Sequence, residues 1–253
     1  MFLFVCFLTR GQEAMEFYDQ GEYKLAALAF EREYFEEGDP RDLLYKAYSY
    51  KKTEDYSKAI RTLQRISTSD EKLDQSVLYE MALLNYLIED YQASYNQVLR
   101  YKVFEYPTDQ NLLVIEILDL IHIGKWQVAR SLMMEKREVL EISMSEIEKI
   151  IPTDLTPKNN KKAKTWSYFI PGTGQMYAGF FGKGLVSGGL NAAAIAFTAY
   201  SAWTGYYFTG VFTGAALFYT FYLGGARHAG QLAEQKNKKI SNKLSRKFKL
   251  LLE

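Results

Sequence analysis

From Gly184 to Leu223 the chain runs for 40 residues without one Asp, Glu, Lys, Arg or His, although 24% of the whole sequence is charged. Ordinary protein surface is not built this way, so the run lies against protein or against lipid. A hydrocarbon core about 30 Å thick is crossed by roughly 20 helical residues. The run therefore fits two crossings, with a break near Trp203, Thr204 and Gly205. A single Lys at mid-bilayer costs on the order of 3 kcal/mol, so freedom from charge across both halves is the pattern a bilayer imposes. Neither half is greasy: "GLVSGGLNAAAIAFTAYSAW" is mainly Ala and Gly with Asn191 inside it, and "YYFTGVFTGAALFYTFYL" is aromatic with scattered Thr. Small residues let helices approach closely in lipid, and Gly184/Gly188 and Gly210/Gly214 both have that spacing. Trp166, Trp203, Tyr206 and Tyr207 suit interfacial positions. The competing reading is a buried helical pair of a soluble domain. Its partner would have to be the N-terminal half, which has a core of its own.

That half is periodic. "DQGEYKLAALAF", "KKTEDYSKAIRTL", "LIEDYQASYNQV" and "HIGKWQVARSLM" each place an aromatic residue three positions before a small one: Tyr23/Ala26, Tyr56/Ala59, Tyr91/Ser94 and Trp126/Ala129. The aromatic residues are 33, 35 and 35 positions apart, and Ala14, Ala47, Ala82 and Ile117 recur upstream of them. The pattern, over residues 12 to 135, resembles the tetratricopeptide repeat, a helix-turn-helix unit of about 34 residues. The small residue lets two helices approach, the aromatic fills the turn between them, and stacking of units supplies the core. Ser94 departs from the usual alanine, and "EKREVLEISMSEIEKIIP" reads as one terminal helix shielding the last unit. The resemblance implies a concave groove that holds a peptide or protein partner. Tyr45, Tyr48, Tyr79, Asn85 and Tyr86 lie on the first helices of their units, where such grooves are lined, and packing between units competes for the same side chains.

At the seam between the halves stands "IPGTGQMYAGFFGKG", in which Pro171, Gly172, Gly174, Gln175, Tyr177 and Gly179 follow the order P-G-x-G-Q-x-Y-x-G. Pro and Gly break a helix, and Gly admits close backbone approach. The pattern resembles a family of small bacterial membrane domains in which the motif ends a short first helix and enters a tight turn before a long transmembrane helix. The resemblance covers residues 163 to 230 and implies location rather than chemistry. Only "WSYFI" stands between the linker and Pro171, which makes the first helix short. In lipid, Gln175 and Asn191 should each seek a hydrogen-bond partner across helices, with a substrate or ion contact as the alternative. The glycines match neither G-x-G-x-x-G nor the longer phosphate loop, and no strand precedes them, so a nucleotide site is not expected.

Enzymatic parts are scarce. The chain has one cysteine, Cys6, and two histidines, His122 and His228, so no disulfide framework, metal site or cofactor is expected. A net charge of +1 gives no reason to expect nucleic acid. Residues 1–11 read as a signal sequence cut before Gln12, with the first helix of the next domain as the alternative; residues 153–165 read as a solvated linker. Residues 166–225 form the membrane part and 226–253 a basic tail, with Ile240, Leu244, Phe248 and Leu251 on one helical face suited to an anionic membrane surface. The positive-inside rule holds that tail in the cytoplasm. A cleaved leader puts the repeats in the periplasm, which requires a third, broken crossing by "WSYFIPGTGQMYAGFF".

The expected fold is thus all-α: a tetratricopeptide-like helical solenoid, a transmembrane helical hairpin and a basic amphipathic C-terminal helix. The expected function is a non-enzymatic scaffold at the bacterial inner membrane that binds a protein or peptide partner. The alternative is an accessory factor of membrane-protein insertion or envelope assembly, working on other transmembrane helices through its own glycine-rich ones.

Overall fold

The computed structural model describes residues 10–107 and 109–252, and among them every regular element is a helix. The chain divides into two compact units, residues 1–123 and 124–253. The expected leader falls almost wholly on residues 1–9, outside the described residues.

The first unit comprises α1 (Arg10–Asp19), α2 (Tyr23–Glu37), α3 (Pro40–Lys52), α4 (Tyr56–Leu63), α5 (Glu71–Leu87), α6 (Tyr91–Val103) and α7 (Gln110–His122). Each helix packs on the next, and α5 also touches α3 and α7. The local causes are legible. Asp39, Asp55, Asp70, Asp90 and Asp109 precede α3 to α7, and each side chain accepts a backbone N–H of the first turn. An aspartate cap of this kind contributes about 1 kcal/mol. Ahead of the aromatic positions, Gly21, Glu54 and Glu89 adopt positive φ, reversing the chain before the next helix begins. The small residues three positions after those aromatics, Ala26, Ala59 and Ser94, are each 0% exposed, and Ala14, Ala47 and Ala82 are buried opposite them.

The second unit opens with α8 (Trp126–Glu135), α9 (Arg137–Leu140) and α10 (Met144–Ile150). The single terminal helix expected here is two short ones: Glu141 turns the chain at φ 55°, and Ser143 with Glu146 forms a reciprocal cap that starts α10. Helix α11 (Asn160–Phe169) begins inside the stretch expected as linker, because the Asn159 side chain caps it by accepting from Lys162 N. Next come α12 (Thr173–Tyr177) and α13 (Phe181–Trp203). Helix α14 (Tyr207–Thr209) passes through a π-helical turn (Gly210–Gly214) into α15 (Ala215–Leu252). The basic tail is thus the far end of one 38-residue helix rather than a separate element.

Candidate functional site

In the first unit two of the five expected groove residues line one recess. Tyr48 on α3 and Tyr79 on α5 line a shallow recess of about 340 Å³ with Gln75, Glu80 and Asp109. Lys51 Nζ lies 2.7 Å from the Glu80 carboxylate and 5.2 Å from the centre of the Tyr48 ring. Burial, and then the Glu80 charge, push the Tyr48 hydroxyl up to about 12, so it stays protonated and can donate. Gln75 Nε2 donates to the Tyr101 hydroxyl at 2.6 Å, which in turn donates to the Pro107 carbonyl at 2.9 Å. Gln75 and Tyr79 are four apart on α5, a spacing that could have paired them from sequence.

The other three residues do not line the recess. Tyr45 meets Tyr48 edge-on at 5.8 Å, but it stacks on Phe30 at 5.4 Å and meets Tyr18 edge-on at 6.3 Å, inside the cluster around Ala14 and Ala26. Asn85 is buried and its Nδ2 donates to the Met81 carbonyl at 2.6 Å, one turn back on its own helix. Tyr86 packs beside Leu78 and Val98 and meets Tyr91 edge-on at 5.6 Å.

The departure at Ser94 has a physical partner. Its hydroxyl lies 2.8 Å from the Ala82 carbonyl oxygen and 2.6 Å from Asp119 Oδ2. Ser94 has one proton, so both contacts are hydrogen bonds only when Asp119 supplies a second. Burial pushes Asp119 up to about 8, with the Glu116 charge adding and the Ser94 bond opposing, which keeps that proton in place at neutral pH. Two more carboxyls behave alike: burial and then the Asp42 charge raise Glu33 to about 7, and burial with the charges of Asp39 and Glu37 raises Asp42 to about 6.

In the second unit the P-G-x-G-Q-x-Y-x-G segment is the place where α11, α13 and α15 meet. Gly172 has φ 98°, and a Cβ there would run into the Gly184 carbonyl oxygen on α13. A Cβ on Gly174 would strike the Ala163 carbonyl oxygen and sit 2.5 Å from Ser167 Oγ, both on α11. The Pro171 carbonyl oxygen would lie 3.1 Å from a Cβ on Gly188. Gln175 is fully buried: its Oε1 accepts from Ser167 Oγ at 2.9 Å and its Nε2 donates to the Gly225 carbonyl on α15, also at 2.9 Å. The Tyr177 hydroxyl accepts from Asn159 N at 3.2 Å, and Lys158 Nζ sits 5.1 Å from the centre of its ring. Gly179, at φ 87°, closes the turn after α12. Close approach, a turn or a hydrogen bond between helices accounts for each position.

Gln175 therefore bonds across helices, whereas Asn191 does not. Asn191 Nδ2 donates to the Ser187 carbonyl one turn back, at 2.8 Å, and its buried Oδ1 has no partner. The glycine pairs also divide their work. Gly184 and Gly188 receive residues 171–176, while Gly210 and Gly214 receive Thr198 and Ser201 of α13.

Helix α13 is inverted relative to a soluble helix. Its buried residues are Gly184, Asn191, Ala194 and Ser201. Leu185, Val186, Ile195, Phe197 and Tyr200 face outward, and Trp203 is 91% exposed. Helix α13 is long and apolar enough to cross a membrane, and only 17% of its most apolar window is buried. It alone qualifies among the described residues, against the two spans that the uncharged run predicts. The second apolar stretch is split between α14, the π turn and the start of α15, which runs on into the basic segment.

The chain enters and leaves the apolar stretch at one level. Lys158 N donates to Asn237 Oδ1 at 2.8 Å, Asn237 Nδ2 returns a bond to the Lys158 carbonyl at 2.7 Å, and Asn160 Nδ2 donates to Glu234 at 2.5 Å. Farther along α15, Trp126 Nε1 donates to Ser241 Oγ at 3.1 Å, and Lys247 Nζ donates to the Lys149 carbonyl at 2.6 Å. These bonds hold residues 126–160 and the tail together within the second unit. They also correct the reading of the tail: Leu244 and Phe248 are buried in protein and are not free to lie on a membrane.

Among the described residues no group of three or more His, Cys, Asp or Glu could hold a metal ion. No protein-family model, curated protein or solved structure matches the chain.

Proposed function

We propose that this chain is a membrane-anchored helical scaffold that performs no reaction of its own. In this reading residues 12–135 form a tetratricopeptide-like solenoid for a peptide or protein partner, and residues 166–225 form a transmembrane helical hairpin. The observation that carries it is the inversion of α13, with glycine, asparagine, alanine and serine inside and leucine, isoleucine, phenylalanine and tryptophan outside. An apolar patch of that extent on a soluble protein marks an interaction surface, and small inward residues are what helices packing in lipid require. The contacts α5 makes with α3 and α7, and the buried small residues kept in step, support the solenoid. Lys161, Lys162 and Lys164 stand on the same side as the basic tail, so the positive-inside rule assigns both to the cytoplasm of a bacterial inner membrane.

The recess at Tyr48 and Tyr79 supports a partner that offers hydrogen-bonding side chains to tyrosine hydroxyls and carboxylates. Pull-down of the full-length chain from mild detergent tests this. Tyr48→Ala combined with Tyr79→Ala should lose at least tenfold of the captured partner while the chain stays in the membrane fraction. Undiminished capture by the double variant would contradict the groove.

A further inference from the structure

We propose that α13 and α15 hold one anionic phospholipid of the bilayer in a groove between them, an inference that rests on the membrane-anchored reading above. The groove has a volume of about 530 Å³, within the range of small-molecule pockets. Gly182, Val186 and Leu190 recur every four residues on α13 and make one wall. Thr220, Gly224 and His228 recur likewise on α15 and make the other, with Phe221 beside them. Eight residues of helix rise about 12 Å, so the groove is a slot along the helix pair rather than a round cavity.

Two glycines hold it open. A Cβ on Gly182 or on Gly224 would meet nothing within 4 Å, so neither glycine serves packing. Elsewhere in this unit Gly172, Gly174, Gly184 and Gly225 each press against another segment. Glycine in a helix interior costs roughly 1 kcal/mol relative to alanine, and at Gly224, well inside α15, it leaves empty space in a slot lined by Val186, Leu190 and Phe221.

The slot carries its basic side chains at one end only, with Gln175, Ser187 and Thr220 as its other polar lining. Lys183 and His228 line it, both exposed, and no Asp or Glu does. The first turn of α13 carries no acidic residue either. Lys183 immediately precedes the uncharged stretch and Arg227 and His228 closely follow it, so this end lies where the apolar segment meets headgroups. A cation and an imidazole at that depth complement a phosphate, and the apolar walls continue in the direction of its acyl chain. A zwitterionic lipid would bring its own cation to Lys183, so the charge pattern selects an anionic headgroup. Basic side chains at this level discriminate through the negative potential of such lipids.

The test is native mass spectrometry of the full-length chain released from vesicles of equimolar phosphatidylglycerol and phosphatidylcholine. One retained phospholipid is expected, with about fivefold preference for phosphatidylglycerol, the effect of one basic residue at an anionic surface. Lys183→Ala should erase the preference. Gly224→Leu, whose Cβ would meet nothing within 4 Å and whose side chain would occupy the slot, should abolish retention while the chain still partitions into vesicles. A wild-type chain that enters vesicles but retains no lipid, or shows no preference, overturns the lipid site and leaves the anchored scaffold standing. Equal retention by Gly224→Leu also overturns the site. A chain that never enters vesicles overturns the membrane reading and the site with it.

Discussion

Residues 10–122 and residues 166–223 use the same helix and opposite insides. In the first region Leu43, Leu63 and Leu84 are buried, and the aspartates that start its helices face solvent-side turns. In the second region Gly184, Gly210, Gly214 and Gln175 are buried while Phe169, Phe208 and Trp203 look outward. Burying a large apolar side chain is worth about 1.5–3 kcal/mol in water. The first region buries most such side chains, with Leu28, Phe35 and Val103 left exposed, and the second turns most of them outward; the proposed membrane anchor accounts for the difference as one of solvent. The regions also treat buried polar groups differently. The first keeps the buried Asp119 carboxyl protonated and raises Glu33 to about 7, whereas the second meets the Gln175 amide with a serine and a backbone carbonyl and leaves Asn191 Oδ1 without a partner.

The sharpest way to break the comparison is to put a side chain where the second region demands none. Gly174→Val would drive a branched side chain into the Ala163 carbonyl oxygen and Ser167 Oγ, cutting the Gln175 bridge. A loss of more than about 3 kcal/mol is expected, the scale of overpacking plus a broken buried bond. Urea titration in detergent, followed by protection of α11 and α13 from hydrogen exchange, checks it.

The first region is tested through its protons. The folded state raises Asp119 from 3.8 to about 8, so it holds a proton that the unfolded chain has released. Folded protons then exceed unfolded ones between pH 4 and 8, and stability falls as pH rises across that window before levelling off. Glu33 and Asp42, raised to about 7 and about 6, add slopes of the same sign that end earlier. Asp119→Asn keeps a donor for Ser94 and removes the titration. It should stabilise α6 and α7 by roughly 1–3 kcal/mol at pH 8 and by little at pH 4. Hydrogen exchange at the two pH values measures the difference.

A smaller effect sharpens the likeness among the turns. Gly21 reverses the chain at φ 79° without strain, and Glu89 does the same at φ 62° with a side chain. A non-glycine residue in that region costs about 1–2 kcal/mol, partly offset by the entropy of glycine in the unfolded chain. Glu89→Gly should therefore stabilise the turn by about 0.5 kcal/mol, read as a rise in the denaturation midpoint.

Sequence and structure agree where a single physical rule governs. Repeating small residues specify close helix contacts, and Ala26, Ala59, Ser94 and Ala129 are all buried without remainder. An uncharged run specifies an apolar environment, and its large side chains do face outward. What stayed hidden depends on contacts between distant positions. Tyr45 and Asn85 carry the right residue types on the right helices, yet Phe30 and Met81 engage them. The four lysines of residues 158–164 looked like linker because a periodic pattern cannot reveal that Asn237 and Glu234 wait some 75 residues away. The tail's apolar face was visible, but its cover, reached through Ser241 and Trp126, was not.

The three tryptophans test the two-solvent account most directly, because Trp126 is buried in protein while Trp166 and Trp203 are exposed. In vesicles containing brominated phospholipid, a variant whose only tryptophan is Trp203 should lose most of its fluorescence to bromine and almost none to aqueous iodide. A variant whose only tryptophan is Trp126 should respond to neither. Iodide quenching of Trp203, with bromine silent, would mean that water rather than lipid surrounds α13, and the account would be wrong.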